Sequence, residues 1–510
     1  MKKKQKSGDL CNIHRVLYSH NNSFSFLLLP DEARRRAGHL FACLSFACIW
    51  RSKRRKEDDI VLKQNGRLFS RRDIAALLIP LIIEQLFTAL MGTADTMMVA
   101  RMGEAAVSGV SLVDSINNLV LMMMTALATG GTITCAQYLG AQERESAQNA
   151  ARQVLLAVAA ISLLCCGICV VLRWPILHLV FGSVEQDVMD AAGIYFLITA
   201  ISYPFMGVYD ASAALYRATG NSKLPMIVSA VGNLLNIAGN AVFMFVFHWG
   251  VMGAALSTML SRALQCVAIL WFHHRPGQVI VLDHYLSIRP DFKTIRTILR
   301  IGIPTGVENG MFQFGKLVIQ STVATLPTSE IAAQAVINTL EYFTSMPSMA
   351  VGLGLVTVAG QCMGAGQPKE AKRYTLEFTG ISEGLVLATG ALIFLCVDLV
   401  SEKSGLSADS AAIVHRMMVL ITLVKPFIWP LAFTLPNGMR AAGDVKFSMI
   451  VSAASMWVFR VALCMVLIRG FGFGVLGVWI AMFVDWFDRD IWYLGRFLSG
   501  KWTQQRVLDR

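Results

Sequence analysis

Charged residues are scarce in this chain. Asp, Glu, Lys and Arg make up 15% of its 510 residues, whereas hydrophobic residues make up 55%. Soluble globular proteins carry about 25% charged residues, and a chain this long and apolar cannot hide its surplus in one water-soluble core. Long apolar runs recur from about residue 73 to residue 495, which predicts a polytopic membrane protein.

Signatures of catalysis, metal binding and disulfide bonding are also missing from the sequence. The 11 cysteines form no metal-ligand spacing with the 9 histidines, and most of them lie within apolar runs, as buried thiols do. No nucleotide-binding loop, metal-binding His/Glu pattern or nucleophile motif is present. We therefore expect no enzymatic activity, no cofactor and no bound metal.

The basic excess of the chain is concentrated at its N-terminus. Residues 1–72 hold 17 of the 45 Lys and Arg residues but only 6 of the 33 Asp and Glu residues. A basic segment ahead of a first membrane helix is typical of the cytoplasmic side of a membrane, so we expect lipid rather than nucleic acid as its partner. The apolar run 37–50 is too short to span a bilayer, which takes about 20 residues. We therefore predict a poorly ordered extension over 1–72.

The remainder of the chain is predicted to contain twelve membrane spans. Loops after the even-numbered spans are rich in Lys and Arg, while the other loops carry only Arg101, Arg173, Lys403 and Arg469. The positive-inside rule then places both termini in the cytoplasm and the spans in the inner membrane. The predicted spans are 74–100, 106–136, 153–173, 190–214, 226–247, 251–273, 297–324, 331–360, 378–400, 411–436, 447–469 and 472–495.

An internal repeat divides these spans into two halves. The P-x-x-x-E motif of Pro80 and Glu84 recurs 224 residues later, and RATGNSKLPMIVSA (217–230) recurs as RAAGDVKFSMIVSA (440–453). Such self-similarity indicates a duplicated unit. Because each unit has six spans, both copies enter the membrane in the same direction. This predicts an all-α fold of two six-helix bundles, related by a pseudo-two-fold axis along the membrane normal, with alternating access by rocking of the halves.

The predicted domain boundaries follow from this repeat. The Pro- and Gly-containing segment 273–285 separates the halves. Residues 291–300 follow it and are predicted to form an amphipathic interfacial helix, because basic residues share one face. The predicted division is an N-terminal lobe over 73–273, a cytoplasmic linker with the interfacial helix over 274–296, a C-terminal lobe over 297–496 and a cytoplasmic tail over 497–510.

Several of these segments resemble the multidrug and toxic compound extrusion (MATE) family. The stretch 80–103, with its membrane aspartate Asp95, is similar to that family's opening helix, and GGTITCAQYLGAQ (130–142) is similar to its Gly-Gln-Gly loop. The resemblance covers residues 73–495. It implies an antiporter, coupled to H⁺ or Na⁺, that expels organic and often cationic, amphipathic small molecules. We expect this transporter to act as a monomer in the lipid bilayer.

Asp95 is the first candidate for cation or proton coupling. An ionised side chain at mid-bilayer costs about 2.5–3.5 kcal/mol on insertion scales, so such groups persist mainly where they face a cavity or a partner. The alternative is a structural carboxylate capped by neighbouring donors. The resemblance implies that Asn236, Asn240 and Thr258 complete an ion pocket with it. An aspartate is common at the position of Asn240, so the asparagine weakens the case for tight Na⁺ binding, and the two asparagines could instead join helices.

Two further acids, Glu84 and Glu308, occupy matched positions in the repeat, each one turn beyond a proline. They are predicted to flank a cleft and attract cationic substrate, or else to bond groups freed by a proline kink. Lys316 is expected to pair with Glu341, because pairing lowers the cost of both charges in the membrane. Arg460 is interpreted as structural.

Two other functions are weighed against the antiporter. A lipid-linked oligosaccharide flippase of the same wider superfamily would share this shape, but it calls for a more strongly basic central cavity. The spans offer few cations beyond Lys316, Lys425 and Arg460. A membrane enzyme is disfavoured because no catalytic motif is present.

Overall fold

The computed structural model describes residues 68–182, 184–275, 278–282, 289–505 and 507–508. The predictions for residues 1–67 and for much of the interlobe linker lie outside the described residues. Within those residues the protein is all-α, as predicted, and we number its helices α1 to α14 in chain order. Each helix in a membrane satisfies its own backbone hydrogen bonds, which lipid cannot do.

The N-terminal half contains eight helices where six spans were predicted. One is a short helix, α4, that was not predicted. The other arises because the fourth span is broken at Ser202 into two helices that meet at 46°. Pro204 explains the break, since proline lacks an amide hydrogen and crowds the preceding turn. The helices are α1 Arg71–Ala100, α2 Glu104–Gly140, α3 Arg144–Val171, α4 Arg173–Phe181, α5 Gln186–Ile201, α6 Tyr203–Ala218, α7 Lys223–Val246 and α8 Gly250–His274.

The C-terminal half contains one helix for each predicted span, namely α9 Phe292–Val323, α10 Thr328–Gly364, α11 Pro368–Lys403, α12 Ala408–Ala441, α13 Val445–Gly470 and α14 Gly474–Ser499. Among the described residues, nine helices of the whole protein are long and apolar enough to cross a membrane, and ten if α5 and α6 form one span. The other two, α9 and α14, have the length but carry more polar and charged residues. Together these helices match all twelve predicted spans in position.

The segment 291–300 forms the beginning of α9, which continues without interruption through Gly302 and Pro304. Asp291 caps this helix through the backbone amide of Lys293 (3.1 Å) and the hydroxyl of Thr294 (2.6 Å), and Asn149 of α3 donates to it (2.9 Å). These hydrogen bonds, that of Thr294 foremost, hold the pKa of Asp291 below its usual value. The predicted boundary at residue 297 therefore lies inside a helix.

The first helix of each lobe begins against the opposite lobe. The start of α1 packs its Leu77 and Leu78 into a cluster with Phe378 of α11, and the Tyr374 hydroxyl donates to the carbonyl of Phe69 (2.8 Å). In the same way, the start of α9 packs into the core of the N-terminal lobe through Ile298. The two lobes therefore exchange their leading turns.

Candidate functional site

The four residues predicted to form an ion pocket lie together in the N-terminal lobe. Asn240 of α7 donates to Asp95 of α1 at 2.6 Å. With its amide nitrogen facing Asp95, Asn236 donates to the same carboxylate at 2.9 Å and accepts from Thr258 of α8 at 3.2 Å. Both asparagines are buried and Asp95 is half-buried. A carboxylate can accept a proton or a hard cation such as Na⁺, and among the described residues no three His, Cys, Asp or Glu side chains assemble as metal ligands.

A second carboxylate lies beside this cluster and was missed in the sequence. Asp114 of α2 accepts from Asn117 (3.2 Å) and from the hydroxyl of Tyr195 (3.4 Å). Asp114 and Arg262 of α8 both act electrostatically on Asp95. Position inside predicted spans was the signal that could have identified both residues, because ionisable groups at that depth are functional candidates by default.

Glu84 and Glu308 do not face an open cleft, contrary to the prediction. Arg217 contacts Glu84 at 2.7 Å and Arg440 contacts Glu308 at 2.5 Å, and both carboxylates are buried. Ser452 also donates to Glu308 at 2.5 Å. Each acid is therefore neutralised within its own lobe, because the repeat supplies an arginine at the matching position. The two ion pairs are repeat mates and fix the end of α6 and of α12.

The prediction of an ion pair between Lys316 and Glu341 is wrong. Glu341 of α10 instead pairs with Lys425 of α12 at 2.5 Å. The Lys425 ammonium also donates to the hydroxyls of Thr344 and Ser345. Lys316 of α9 acts on Glu341 electrostatically without an ion-pair contact, and its ammonium lies 5.0 Å from the centre of the Phe312 ring.

Arg460 belongs to a buried network in the C-terminal lobe. Its guanidinium lies 3.6 Å from Asp485, which also pairs with Arg489 at 2.9 Å. The Arg460 guanidinium lies 5.2 Å from the centre of the Phe312 ring. The structural interpretation of Arg460 is consistent with this enclosure. The two lobes therefore differ in their buried polar contacts: neutral amides contact Asp95 in the N-terminal lobe, and guanidinium groups contact Asp485 in the C-terminal lobe.

The lobes meet in a reciprocal contact at the end that carries the basic loops. Gln137 of α2 donates to the carbonyl of Ala441 at 2.7 Å, and its repeat mate Gln361 of α10 donates to the carbonyl of Ala218 at 2.7 Å. Each glutamine thus binds the last turn of a helix in the opposite lobe. We call this pair of hydrogen bonds the glutamine seam.

Comparison with known proteins agrees with the repeat. The family model MatE matches twice, at residues 80–242 and 304–466, two stretches of equal length that begin at the repeated prolines. Together they cover more than half of the chain. The predicted fold class of two homologous helical lobes in a membrane is thereby confirmed.

Similar proteins are found along nearly the whole described part of the chain. The probable multidrug resistance protein NorM of Thermotoga maritima is 26% identical over 86% of this chain and 95% of its own length. Multidrug and toxin extrusion protein 1 of Oryctolagus cuniculus is 22% identical over 85% of this chain and 76% of its own. A MATE family transporter of the MOP superfamily, solved in an outward-facing conformation, superimposes with a TM-score of 0.77 at 19% identity, covering 84% of this chain and 96% of that one.

Proposed function

Because the chain belongs to the MatE family of efflux transporters, we propose that it is an antiporter that expels organic, cationic amphipathic compounds in exchange for H⁺ or Na⁺. The names of its relatives, which refer to multidrug resistance and toxin extrusion, support the export of small molecules. The excess of basic residues in the loops after even-numbered spans supports an inner-membrane orientation with both termini in the cytoplasm.

The observation that carries the coupling proposal is the environment of Asp95. Glu84, Glu341 and Asp485 each have an arginine or lysine partner within the same lobe. Asp95 instead receives hydrogen bonds from the neutral amides of Asn236 and Asn240, and no described Lys or Arg forms an ion pair with it. Neutral donors orient a carboxylate without cancelling its charge. An exchangeable proton or cation is then the natural partner of this group.

The glutamine seam supports the rocking mechanism. A hydrogen bond contributes about 0.5–1.5 kcal/mol net, so the two bonds of the seam can break and re-form at a cost that binding free energy can meet. If the basic-loop end faces the cytoplasm, the protein is closed on its cytoplasmic side in this conformation. Asp95 then lies on the side of the seam away from the cytoplasm. Exchange of the partner of Asp95 would then alternate with opening and closing of the seam.

The proposal predicts that Asp95→Asn abolishes export. The substitution keeps the shape of the side chain but removes the charge that H⁺ or Na⁺ would neutralise. In cells expressing the protein, accumulation of a cationic dye such as ethidium should rise to the level of cells without it, while the amount of protein in the membrane stays unchanged. Asp398→Asn is the matched control, because Asp398 is exposed at the far end of α11. Retained export by the Asp95→Asn protein would falsify the coupling role of Asp95.

A further inference from the structure

One polar stripe on α9 lies outside the cluster of Asp95, Asn236, Asn240 and Thr258, and that cluster does not explain it. Asn309, Gln313, Lys316 and Gln320 follow one another at steps of four, three and four residues, so they share one face of the helix. All four are at least partly exposed, and Lys316 and Gln320 are the more exposed pair. A separate face of α9 is exposed and apolar, through Ile303, Val307, Phe314 and Leu317. That apolar face is suited to lipid, and the polar stripe is therefore not the lipid-facing side.

The stripe continues the face of α9 that meets the opposite lobe. Towards the basic-loop end, Gly302 and Gly306 of α9 contact Ala126 of α2, and Ile298 contacts Gly130. Stepping on from Gly306 by three residues reaches the beginning of the stripe. The stripe therefore points across the space between the lobes, beyond the place where α2 and α9 touch.

The facing side of α2 is polar but uncharged. Continuing from Ala126 along the antiparallel helix, the same face presents Asn118, Ser115 and Ser111, all of them exposed. None of these side chains can neutralise a cation. These exposed side chains thus offer hydrogen bonds to a ligand, whereas Asp114 on the same helix is engaged by Asn117 and Tyr195.

Lys316 is an uncompensated cation in this wall. Its electrostatic neighbours are Arg460, which is also positive, and Glu341, whose carboxylate already pairs with Lys425. Among the described residues no carboxylate forms an ion pair with Lys316. The Phe312 ring lies 5.0 Å from its ammonium, and thus places an aromatic surface beside the charge.

We propose that Lys316 and Phe312 form a subsite on the C-terminal lobe that binds the acidic group of an aromatic amphipathic substrate, with a carboxylate as the preferred group. The ammonium supplies a charge-assisted hydrogen bond and the ring supplies apolar contact. This subsite rests on the proposed function, because it faces the space between the two lobes that alternate in transport, and it gives the acidic group of a substrate with both charges a place to bind. The positive end would be drawn to the N-terminal lobe, where Asp95 and Asp114 lie.

The test compares two probes that differ only at the acidic group. Tetramethylrhodamine carries a free carboxylate, whereas its methyl ester is a plain cation with the same ring system. Fluorescence anisotropy measures the equilibrium binding of each probe to the full chain in lipid nanodiscs. We expect Lys316→Met to weaken binding of the acid about 10-fold or more, as for loss of one charge-assisted hydrogen bond, and to leave binding of the ester within about two-fold.

Two variants serve as controls in this experiment. Lys316→Arg should retain most of the affinity for the acid, because it keeps the charge. Lys293→Met removes an exposed lysine at the beginning of the same helix and should leave the binding of both probes unchanged. Equal weakening of acid and ester by Lys316→Met, or unchanged binding of the acid, would overturn the subsite. Binding needs no ion gradient, so a failure of gradient-driven export of the ester would count against the antiporter alone.

Discussion

Lys425 is almost completely enclosed, with 1% of its side chain exposed, yet its ammonium is fully surrounded by acceptors. It donates to the Glu341 carboxylate at 2.5 Å, to the Glu341 carbonyl at 3.0 Å and to Ser345 at 2.6 Å, and it also bonds Thr344. A buried charge is tolerated only when its pairing is this complete. The pair therefore fixes α12 to α10 and leaves Lys316 as the cation that is free to meet a ligand.

Removal of one member of this pair should destabilise the protein strongly. Lys425→Met leaves the Glu341 carboxylate buried without a partner, which costs about 3–5 kcal/mol. Adding Glu341→Leu to the same protein should recover most of that loss, because both charges are then gone. The midpoint of thermal unfolding in detergent measures each variant. Asp398→Asn, in an exposed pair with His415, should cost no more than about 1 kcal/mol. Identical midpoints for the single and double variants would contradict this account.

At the residue scale, the proximity of Asp95, Asn236 and Asn240 could be predicted from the sequence, whereas the partners in the buried ion pairs could not. Asn236 and Asn240 lie four apart, so helical geometry places them on one face, and the family resemblance supplies Asp95 as their partner. The partner of Glu341, in contrast, depends on how α9 and α12 are rotated about their axes. Sequence spacing does not specify that rotation when several cations lie in neighbouring spans.

Helix ends at the glutamine seam approach each other so closely that only glycine fits. A Cβ atom added to Gly140 would overlap the carbonyl oxygen of Gln361, and one added to Gly364 would overlap that of Gln137. Both glycines end long helices, α2 and α10. Gly140 lies in the segment 130–142 that the sequence singled out, and the structure gives a steric reason for glycine at this position.

Gly140→Ala should prevent complete closure of this end. The added methyl group meets backbone rather than a movable side chain, so the helices must separate. Distances between spin labels on the exposed residues Arg144 and Lys369 should lengthen, and export of cationic dye should fall about 10-fold or more. Gly310→Ala is the control, because nothing lies within 4 Å of a Cβ there. An unchanged label distance with normal export would refute the steric reading of the seam.

Element boundaries were predicted well where hydrophobic runs are long, and less well where a helix bends or continues through polar sequence. The break at Ser202 escaped notice because the apolar run continues through it, although Pro204 was a visible signal. Residues 292–300 were assigned to an interfacial helix because their charges form a face. The structure adds their packing against the N-terminal lobe, which is a tertiary contact and cannot be inferred from periodicity alone.

At the scale of the whole molecule, the repeat has diverged in charge. In the N-terminal lobe, Asp95 and Asp114 accept hydrogen bonds from neutral donors, while the centre of the C-terminal lobe holds Arg460, Arg489 and Asp485 in one buried network. Duplication explains the common scaffold of the two lobes. The differences between the two lobes then support the proposal that ion exchange belongs to the N-terminal lobe.

The choice between H⁺ and Na⁺ should respond to a single change in the N-terminal lobe. Asn240→Asp adds a second carboxylate next to Asp95, and hard cations favour anionic oxygen ligands. In proteoliposomes with independently imposed pH and Na⁺ gradients, we expect this variant to increase dye transport driven by Na⁺ relative to that driven by H⁺. Asn309→Asp, on the polar stripe of α9, adds the same charge at a distance from the cluster and should leave that ratio unchanged. A ratio that Asn240→Asp fails to shift would exclude this position from coupling.

The exchanged leading turns impose a mechanical condition on transport. The first turns of α1 and α9 each pack in the opposite lobe, so neither lobe can rotate as an independent rigid body. Pro80 and Pro304 lie where α1 and α9 leave the foreign lobe and rejoin their own, and each lacks the amide that would stiffen the turn. In the proposed rocking motion, α1 and α9 would therefore bend at these two prolines as the lobes tilt and straighten again as the lobes return.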